Sequence, residues 1–316
     1  MSGLSYRALG MFVALVVICG AMAALTSWQN DWGPPTFLSE ANLRNVLLQC
    51  SITTVAAVGM TLVILAGGID LSVGSVLALC SVGLAVVVRD LPGPAGIVLG
   101  LLACLAIGTA LGLVNGALVV HLGAPAFIVT LGMMFVARGL AFVVAHGTTI
   151  HLAAIERGAF AIPVVLALGA VVVAYLLLSL TRYGRYVYAT GGSEEAARLS
   201  GVPVGRVKLM TYVACGLCVA LGAIIYWVRM AAGNPLAQDG LELYAIAAVI
   251  VGGTSLSGGE GDVVGTLVGA LIMGVLANGL GLLSVPDYWQ KVIIGAVIVI
   301  AVGADRLRTK WRARAT

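Results

Sequence analysis

Ten apolar runs, separated by short polar connections, follow one another along the 316-residue chain. A helix needs about 20 mostly apolar residues to cross about 30 Å of hydrocarbon, and most of these runs approach that length. With 61% hydrophobic and 9% charged residues, the chain has too little polar surface to hide such runs from water. The sequence therefore predicts one all-α, polytopic membrane domain over residues 1–316, with about ten transmembrane helices at roughly 8–27, 45–66, 72–88, 95–120, 125–145, 160–180, 208–228, 242–256, 263–283 and 289–304.

The distribution of Lys and Arg predicts the orientation of these helices. When the loops are assigned alternately to two sides, one side receives Arg44, Arg89, Arg157, Arg229 and Lys291. The other side receives more than twice as many, namely Arg7, Arg182, Arg185, Arg198, Arg206, Lys208, Arg306, Arg308, Lys310, Arg312 and Arg314. By the positive-inside rule, both termini and the central loop at residues 182–208 are expected in the cytoplasm. The first run also has the outline of a cleavable signal peptide, but we expect it to be retained because so much membrane sequence follows.

Two parts of the chain resemble each other. Residues 108–112 (Gly-Thr-Ala-Leu-Gly) in the fourth predicted helix match residues 265–269 (Gly-Thr-Leu-Val-Gly) in the ninth, and these two helices cross in opposite senses. The match predicts an inverted repeat of helices 2–5 onto helices 7–10, although Gly-rich helices also produce such matches by chance. The repeat pairs the third and eighth helices, which are the two shortest. Each is bordered by a Gly-rich turn, at residues 67–72 and 252–259, and short, Gly-interrupted segments in matching positions indicate a substrate path.

The longest polar segment is the central loop at residues 182–208. Within it, Ser193 suits a helix N-cap, Glu194 and Glu195 suit the first turn, and Gly201 suits the helix end. These signals predict a short amphipathic helix on the cytoplasmic side. The alternative is a solvated basic loop that touches anionic lipid.

No motif for catalysis, nucleotide binding or metal binding emerges from the sequence. None of the three lysines follows a glycine, so the chain has no P-loop. The three histidines lack metal-ligand spacing, and the C-x-x-C formed by Cys215 and Cys218 has no second Cys or His pair near it to complete a metal site. We therefore expect no catalytic residue, no metal site, no cofactor bound by this chain and no nucleic-acid partner.

The few polar side chains inside or at the mouths of the predicted helices are candidates for a translocation path, because such residues in a membrane usually mark function. Asp70 also suits a helix cap, and Arg138 either reaches the headgroups or faces a central cavity. The uncharged candidates can equally join helices by hydrogen bonds. No run of intramembrane Asp or Glu exists to relay protons, which indicates another energy source. The candidates are Asp70, Asn115, Thr130, Arg138, Asn278 and Gln290.

Four blocks, in order along the chain, resemble the permease subunits of ribose-type monosaccharide ABC importers. They are residues 68–75 (GIDLSVGS), 125–131 (PAFIVTL), 252–259 (GGTSLSGG) and 265–272 (GTLVGALI). The resemblance implies a homodimeric pore in the bacterial inner membrane that imports a ribose-like pentose or a related sugar. It also implies a cytoplasmic ATPase subunit, which binds ATP and Mg, and a periplasmic sugar-binding protein. A stand-alone secondary carrier or channel is the alternative.

The same resemblance suggests roles for two sets of residues. Residues 193–201 resemble the element by which such permeases dock on their ATPase, which assigns coupling to Ser193, Glu194, Glu195, Ala196, Arg198, Leu199 and Gly201. On the outer face, Arg44, Arg157 and Arg229 are candidates to pair with acidic residues of the binding protein. Each of these arginines can also be a surface residue that only follows from the topology.

Overall fold

The computed structural model describes the backbone of residues 2–152 and 161–315 and the side chains of residues 10–152, 161–300, 302 and 303. Two short strands, β1 (Ile150–His151) and β2 (Ala232–Gly233), pair antiparallel, and the rest of the regular structure described is helical. The all-α prediction is confirmed. The α-helices are α1 (Ser2–Gln29), α2 (Glu40–Leu65), α3 (Val73–Asp90), α4 (Pro94–His121), α5 (Ala126–Val144), α6 (Ala161–Leu180), α7 (Arg182–Gly192), α8 (Glu194–Leu199), α9 (Val204–Met230), α10 (Leu241–Val251), α11 (Val263–Leu282) and α12 (Asp287–Ala315).

Ten of these helices correspond to the ten predicted spans, while α7 and α8 lie in the central loop. Within the described residues, eight of the ten are long and apolar enough to cross a membrane. The two shortest of the ten are α10, with 11 residues, and α3, with 18, as predicted. The chain is therefore a multi-pass membrane protein.

The eighth predicted span is shorter than expected, because α10 ends at Val251 and not near residue 256. Gly252 and Gly253 follow, and Gly253 has φ +86°, a left-handed conformation that suits glycine at a helix end. The N–H groups of Gly252 and Thr254 bond back to the carbonyls of Ala248 and Val249. This cap turns the chain away from the helix axis, so the predicted extension to residue 256 is wrong.

The helix packing supports the inverted repeat. The packed pairs α3/α4, α4/α9, α3/α9 and α3/α5 have counterparts in α10/α11, α11/α2, α10/α2 and α10/α12. An inverted repeat of α2–α5 onto α9–α12 produces this exchange of partners. However, Gly108 lies in the middle of α4 whereas Gly265 lies in the first turn of α11, so the matching motifs do not occupy equivalent positions. The repeat is a property of the helix arrangement and not of that motif.

The connections between helices form two opposite faces. On one, Gly259 N–H donates to the carbonyl of Leu65, and Gly191 packs against the same carbonyl. We call this the α7–α8 face; it carries residues 66–67, 122–125, 181–203 and 252–262. On the other, which we call the β-strand face, β1 pairs with β2 and the Phe37 N–H donates to Thr26 Oγ1 at 3.4 Å.

Both short helices begin inside the protein. Gly233 packs against Val82 and Ala85 in the middle of α3, whereas Gln238 and Glu242 lie beside Gly74 in the first turn of α3. Gly74 and Val82 are eight residues apart, which corresponds to about 12 Å along α3. Residues 234–240, which we call the second re-entrant segment, therefore run about 12 Å into the protein along α3 before α10 starts.

Residues 66–72, the first re-entrant segment, enter from the α7–α8 face. The carbonyl of Ile69 accepts a hydrogen bond from Tyr212 OH. Tyr212 lies eight residues, or about 12 Å, after the start of α9 at Val204, so Ile69 lies about that far inside the protein. The first turns of α3 and α10 therefore meet in the interior, next to Gly74 and Glu242.

Candidate functional site

The central loop folds into two helices. The short helix that the sequence predicts is α8: Ser193 Oγ accepts from Ala196 N–H at 3.2 Å, Glu194 and Glu195 lie in the first turn, and Gly201 has φ +80°. α7 was not expected. It begins where Thr181 Oγ1 accepts from Gly184 N–H, and its polar, Gly-containing sequence gives no apolar run to indicate a helix.

Glu194 links α8 to α9. Its Oε1 lies 2.9 Å from Arg198 Nη2, and its Oε2 lies 2.5 Å from Lys208 Nζ. The hydrogen bond from Lys208, followed by its charge and by Arg198, holds the pKa of the Glu194 carboxyl below its usual value. Lys208 was not among the predicted coupling residues, because at sequence level it only marks the start of a helix.

One side of α8 packs and the other is exposed. Ala197 is buried, whereas Glu195, Ala196 and Arg198 are exposed and Leu199 leaves 84% of its surface uncovered. The predicted coupling residues of α8, apart from the half-buried Glu194, therefore form an accessible surface on the α7–α8 face.

The α7–α8 pair rests on both Gly-rich turns. Gly191 lies against Leu65 and Gly259, where a side chain would meet backbone atoms of both residues. Tyr188 OH donates to the carbonyl of Gly261 at 2.9 Å, and burial, with a smaller effect of Asp262, raises the pKa of this phenol. Helix α7 therefore contacts the chain at the start of the first Gly-rich turn and along the second.

A cavity of about 340 Å³ separates α8 from the first re-entrant segment. Glu194, Arg198 and Lys208 lie in its wall on the side of α8, and Gly68 and Tyr212 line it towards the interior. Helices α8 and α9 are thus joined by the Glu194–Lys208 pair at the wall of this cavity.

Three predicted path residues gather around the first re-entrant segment. Asp70 is 3% exposed, and its Oδ1 accepts from Ser72 N–H at 2.9 Å and from Ser72 Oγ at 2.6 Å. Asn115 Nδ2 donates to the same Ser72 Oγ at 2.9 Å. Thr130 Oγ1 lies 3.3 Å from the carbonyl of Ile69 and 2.9 Å from that of Ala126. Asp70 therefore caps the turn before α3, deeper than the helix mouth at which the sequence placed it.

Arg138 holds the second re-entrant segment. Its Nη1 donates to the carbonyl of Pro235 at 2.7 Å and to that of Ala237 at 3.4 Å, and its Nη2 lies 3.3 Å from Asp239 Oδ1. With 17% of its side chain exposed, Arg138 faces the protein and not the headgroups. The sequence analysis did not select Asp239 and Glu242, because it assigned both to the end of an outer loop. The available signal was their position on either side of the start of the shortest helix, close to Gly240.

Asn278 and Gln290 lie elsewhere. Asn278 exchanges two 3.0 Å hydrogen bonds with Asn42, which joins α11 to the start of α2. Gln290 Nε2 donates to the carbonyl of Val285 at 2.8 Å in the turn before α12. The six predicted path residues thus occupy different places. Asp70, Asn115 and Thr130 lie at the first re-entrant segment, Arg138 holds the second, and Asn278 and Gln290 lie towards the β-strand face.

The candidate docking arginines are on the β-strand face as far as the structure describes them. Arg44 pairs with Glu40 in the first turn of α2, and Arg229 lies half-buried in the last turn of α9. Arg157 lies outside the described residues. Among the residues whose placement is described, no group of three or more His, Cys, Asp or Glu side chains is arranged to hold a metal ion.

The family described as "Branched-chain amino acid transport system / permease component" matches residues 42–302 of the chain. The chain belongs to this permease family. This permease is 42% identical to the ribose import permease protein RbsC of Escherichia coli (strain K12) over 305 residues, which cover 93% of this chain and 92% of that protein.

Two further relatives come from the same organism. The D-allose transport system permease protein AlsC is 34% identical over 309 residues, covering 95% of this chain and 92% of its own. The xylose transport system permease protein XylH is 34% identical over 373 residues, covering 96% and 93%. No solved structure matches the permease significantly. The matched region contains both re-entrant segments and the α7–α8 pair, so the resemblance that the four sequence blocks indicated is confirmed.

Proposed function

We propose that this permease is the transmembrane subunit of an ATP-binding cassette importer that carries a monosaccharide across the bacterial inner membrane by alternating access. The relatives named for ribose, D-allose and xylose support a sugar of five or six carbons, with a ribose-like pentose as the first candidate. The observation that carries the proposal is the meeting of two inverted, re-entrant segments inside the protein, a plan that places substrate paths at the centre of transporters.

The energy comes from a separate cytoplasmic ATPase subunit, which binds ATP and Mg. The exposed side of α8, with Ala196, Arg198 and Leu199, is the surface that docks on it. In this arrangement both termini and the α7–α8 face are cytoplasmic, and a second copy of the permease completes the pore. The periplasmic sugar-binding protein docks on the β-strand face, where Arg44, Arg157 and Arg229 remain the candidates for its acidic residues.

The contacts of α8 suggest how ATPase closure reaches the pore. A movement of α8 pulls on Lys208 through Glu194, and the same helix α9 carries Tyr212, whose hydroxyl holds Ile69 of the first re-entrant segment. In parallel, α7 presses on residues 66–67 through Gly191. Both routes end at the turn that starts α3.

Reconstitution tests the proposal. The permease is placed in liposomes with its ATPase and binding protein, and uptake of labelled D-ribose, D-xylose and D-allose is measured. We expect uptake of at least one sugar only when ATP and both partners are present. Uptake by the permease alone, down or against a gradient, would establish a secondary carrier or channel instead.

A charge reversal tests the coupling surface. Glu194→Lys removes the partner of both Lys208 and Arg198, and we expect it to lower ATP-driven uptake and co-purification of the ATPase at least several-fold. The matched control for co-purification is Glu40→Lys, since Glu40 forms the same i, i+4 pair with Arg44 on the opposite face. Uptake is not compared for this control, because Arg44 is itself a candidate for docking the binding protein. If Glu194→Lys leaves ATPase co-purification at the wild-type level, α8 is not the docking surface.

A further inference from the structure

Asp239 is a charged residue whose side chain is exposed although it lies inside the protein below the β-strand face. Its side chain is 72% exposed, yet it follows Gln238, whose carbonyl lies beside Gly74 in the first turn of α3. Gly233 of β2 packs beside Val82, eight residues along α3 from Gly74, so Gln238 lies about 12 Å below the strand pair of the β-strand face. Hydrocarbon does not solvate a carboxylate, so an exposed Asp at this level faces water.

Arg138 fixes the position of this carboxylate. It uses one amino group on the carbonyls of Pro235 and Ala237 and the other on Asp239 Oδ1. The Arg138 guanidinium is mostly buried and the Asp239 carboxylate is mostly exposed. The carboxylate oxygens of Asp239 are therefore accessible as hydrogen-bond acceptors. Arg138 is the thirteenth residue of α5, about 9 Å before the helix ends, which agrees with a position inside the membrane.

Two neighbouring groups match the chemistry of a sugar. Phe135 lies one turn before Arg138 on α5 and is 66% exposed, and the apolar C–H face of a sugar ring packs on such a ring. Glu242 Oε2 is buried and accepts no hydrogen bond from any described residue. Carboxylates that accept from hydroxyl groups form charge-assisted hydrogen bonds, which orient a polyol without apolar enclosure.

The geometry points to Asp239, held by Arg138, as a residue that contacts the hydroxyl groups of the sugar in the aqueous path through the membrane. The inference rests on the proposed function and adds to it the place on each protomer where the passing sugar is held. Asp239 contributes acceptor atoms to the substrate, while Arg138 is a positioning residue that acts through Asp239 and the backbone of residues 235–237.

The first test is uptake by the complete transporter. We expect Asp239→Asn and Asp239→Ala to lower the maximal rate of D-ribose uptake at least tenfold, and Asp239→Glu to retain a larger share. The KM should stay within about twofold, because the binding protein captures the sugar. Asp90→Asn is the matched control: Asp90 also pairs with an arginine, Arg89, and is 57% exposed, but it lies at the end of α3. We expect wild-type uptake from that control.

The second test separates contact from structural support. In a variant whose six native cysteines are replaced by alanine, Asp239→Cys is treated with a charged, membrane-impermeant methanethiosulfonate in proteoliposomes, without binding protein. We expect Asp239→Cys to be labelled. Saturating D-ribose should slow the rate of labelling severalfold, whereas L-glucose at the same concentration should leave the rate unchanged.

Three results would overturn the inference: no labelling of Asp239→Cys, labelling that D-ribose slows no more than L-glucose does, or uptake within twofold of wild type for Asp239→Ala. Each of them leaves the proposed function intact if the wild-type complex imports sugar. Failure of the wild-type complex to import any of the three sugars would instead reject the proposed function.

Discussion

The two re-entrant segments have equivalent places in the repeat but opposite surroundings. Residues 66–72 precede α3 and residues 234–240 precede α10, and the two helices start in contact at Gly74 and Glu242. In the first segment Asp70 is 3% exposed and accepts two hydrogen bonds from Ser72 of its own segment. In the second, Asp239 is 72% exposed and paired with Arg138 of another helix.

The difference shows that one backbone plan can have two kinds of surroundings. The first segment is closed, in that its carboxylate is buried, and it lies against α7, α9 and the cavity beside α8; under the proposed function it is the joint that receives the movement of α8. The second segment presents a charge outward, and under the proposed function this charge contacts the sugar. The inverted repeat determines where the two segments enter the protein. The side chains of each segment determine whether its carboxylate is buried or exposed.

The largest effect is expected where the two segments meet. A Cβ on Gly74 would lie 2.6 Å from Glu242 Oε2 and 2.8 Å from the carbonyl oxygen of Gln238, so Gly74→Leu must push α3 and α10 apart. We expect a loss of about 3 kcal/mol, measured as a lower unfolding temperature in detergent. The control is Gly132→Leu on α5, where a Cβ meets nothing within 4 Å. Equal stability of the two variants would show that the segments do not meet.

A closed first segment predicts a large cost for removing its carboxylate. Asp70→Ala leaves the N–H of Ser72, a residue 1% exposed, without its acceptor, and we expect about 2 kcal/mol of destabilisation by thermal unfolding. Asp70→Asn keeps an acceptor oxygen at the same place and should recover most of this loss. An Ala variant as stable as wild type would mean that the segment is open to water.

An open second segment predicts the reverse for its carboxylate. Asp239→Ala breaks a 3.3 Å pair whose acid is exposed, so the expected change in unfolding free energy is below about 1 kcal/mol. The same variant should lose uptake, which would separate stability from transport. A destabilisation as large as that of Asp70→Ala would remove the contrast between the segments.

The smallest effect concerns the connection from α8 to the first segment, and it depends on pH. The pKa of Glu194 is lower when folded, so the pair stabilises the protein above the unfolded pKa and loses this contribution as pH falls through the folded value. Lys208→Met should lower the unfolding free energy by less than about 1 kcal/mol at pH 7, because Glu194 is 43% exposed.

The difference between wild type and Lys208→Met should shrink as the pH falls below about 4.5, the ordinary value for a glutamate. Thermal unfolding of both proteins from pH 7 to pH 3.5 measures it. A difference that does not change with pH would show that Lys208 does not pair with Glu194.

Sequence reasoning located the ten apolar helices to within a few residues at most ends, because crossing hydrocarbon demands a long apolar run whatever the neighbours are. It also located α8, since Ser193, Glu194 and Gly201 act on atoms three or four positions away. It extended α10 by five residues too many, because the helix was carried to Leu256 across Gly252 and Gly253, where the cap ends it.

The sequence by itself determined the class, the order of the apolar helices and most of their local ends, because these depend on composition and on contacts within one turn. The tertiary structure alone decided that α3 and α10 begin inside the protein, that Asn278 binds Asn42, and that Arg138 meets Asp239. Arg138 and Asp239 are 101 positions apart in the sequence, and Asn42 and Asn278 are 236 positions apart. No local pattern encodes such pairings, since they follow from how the two inverted halves pack against each other.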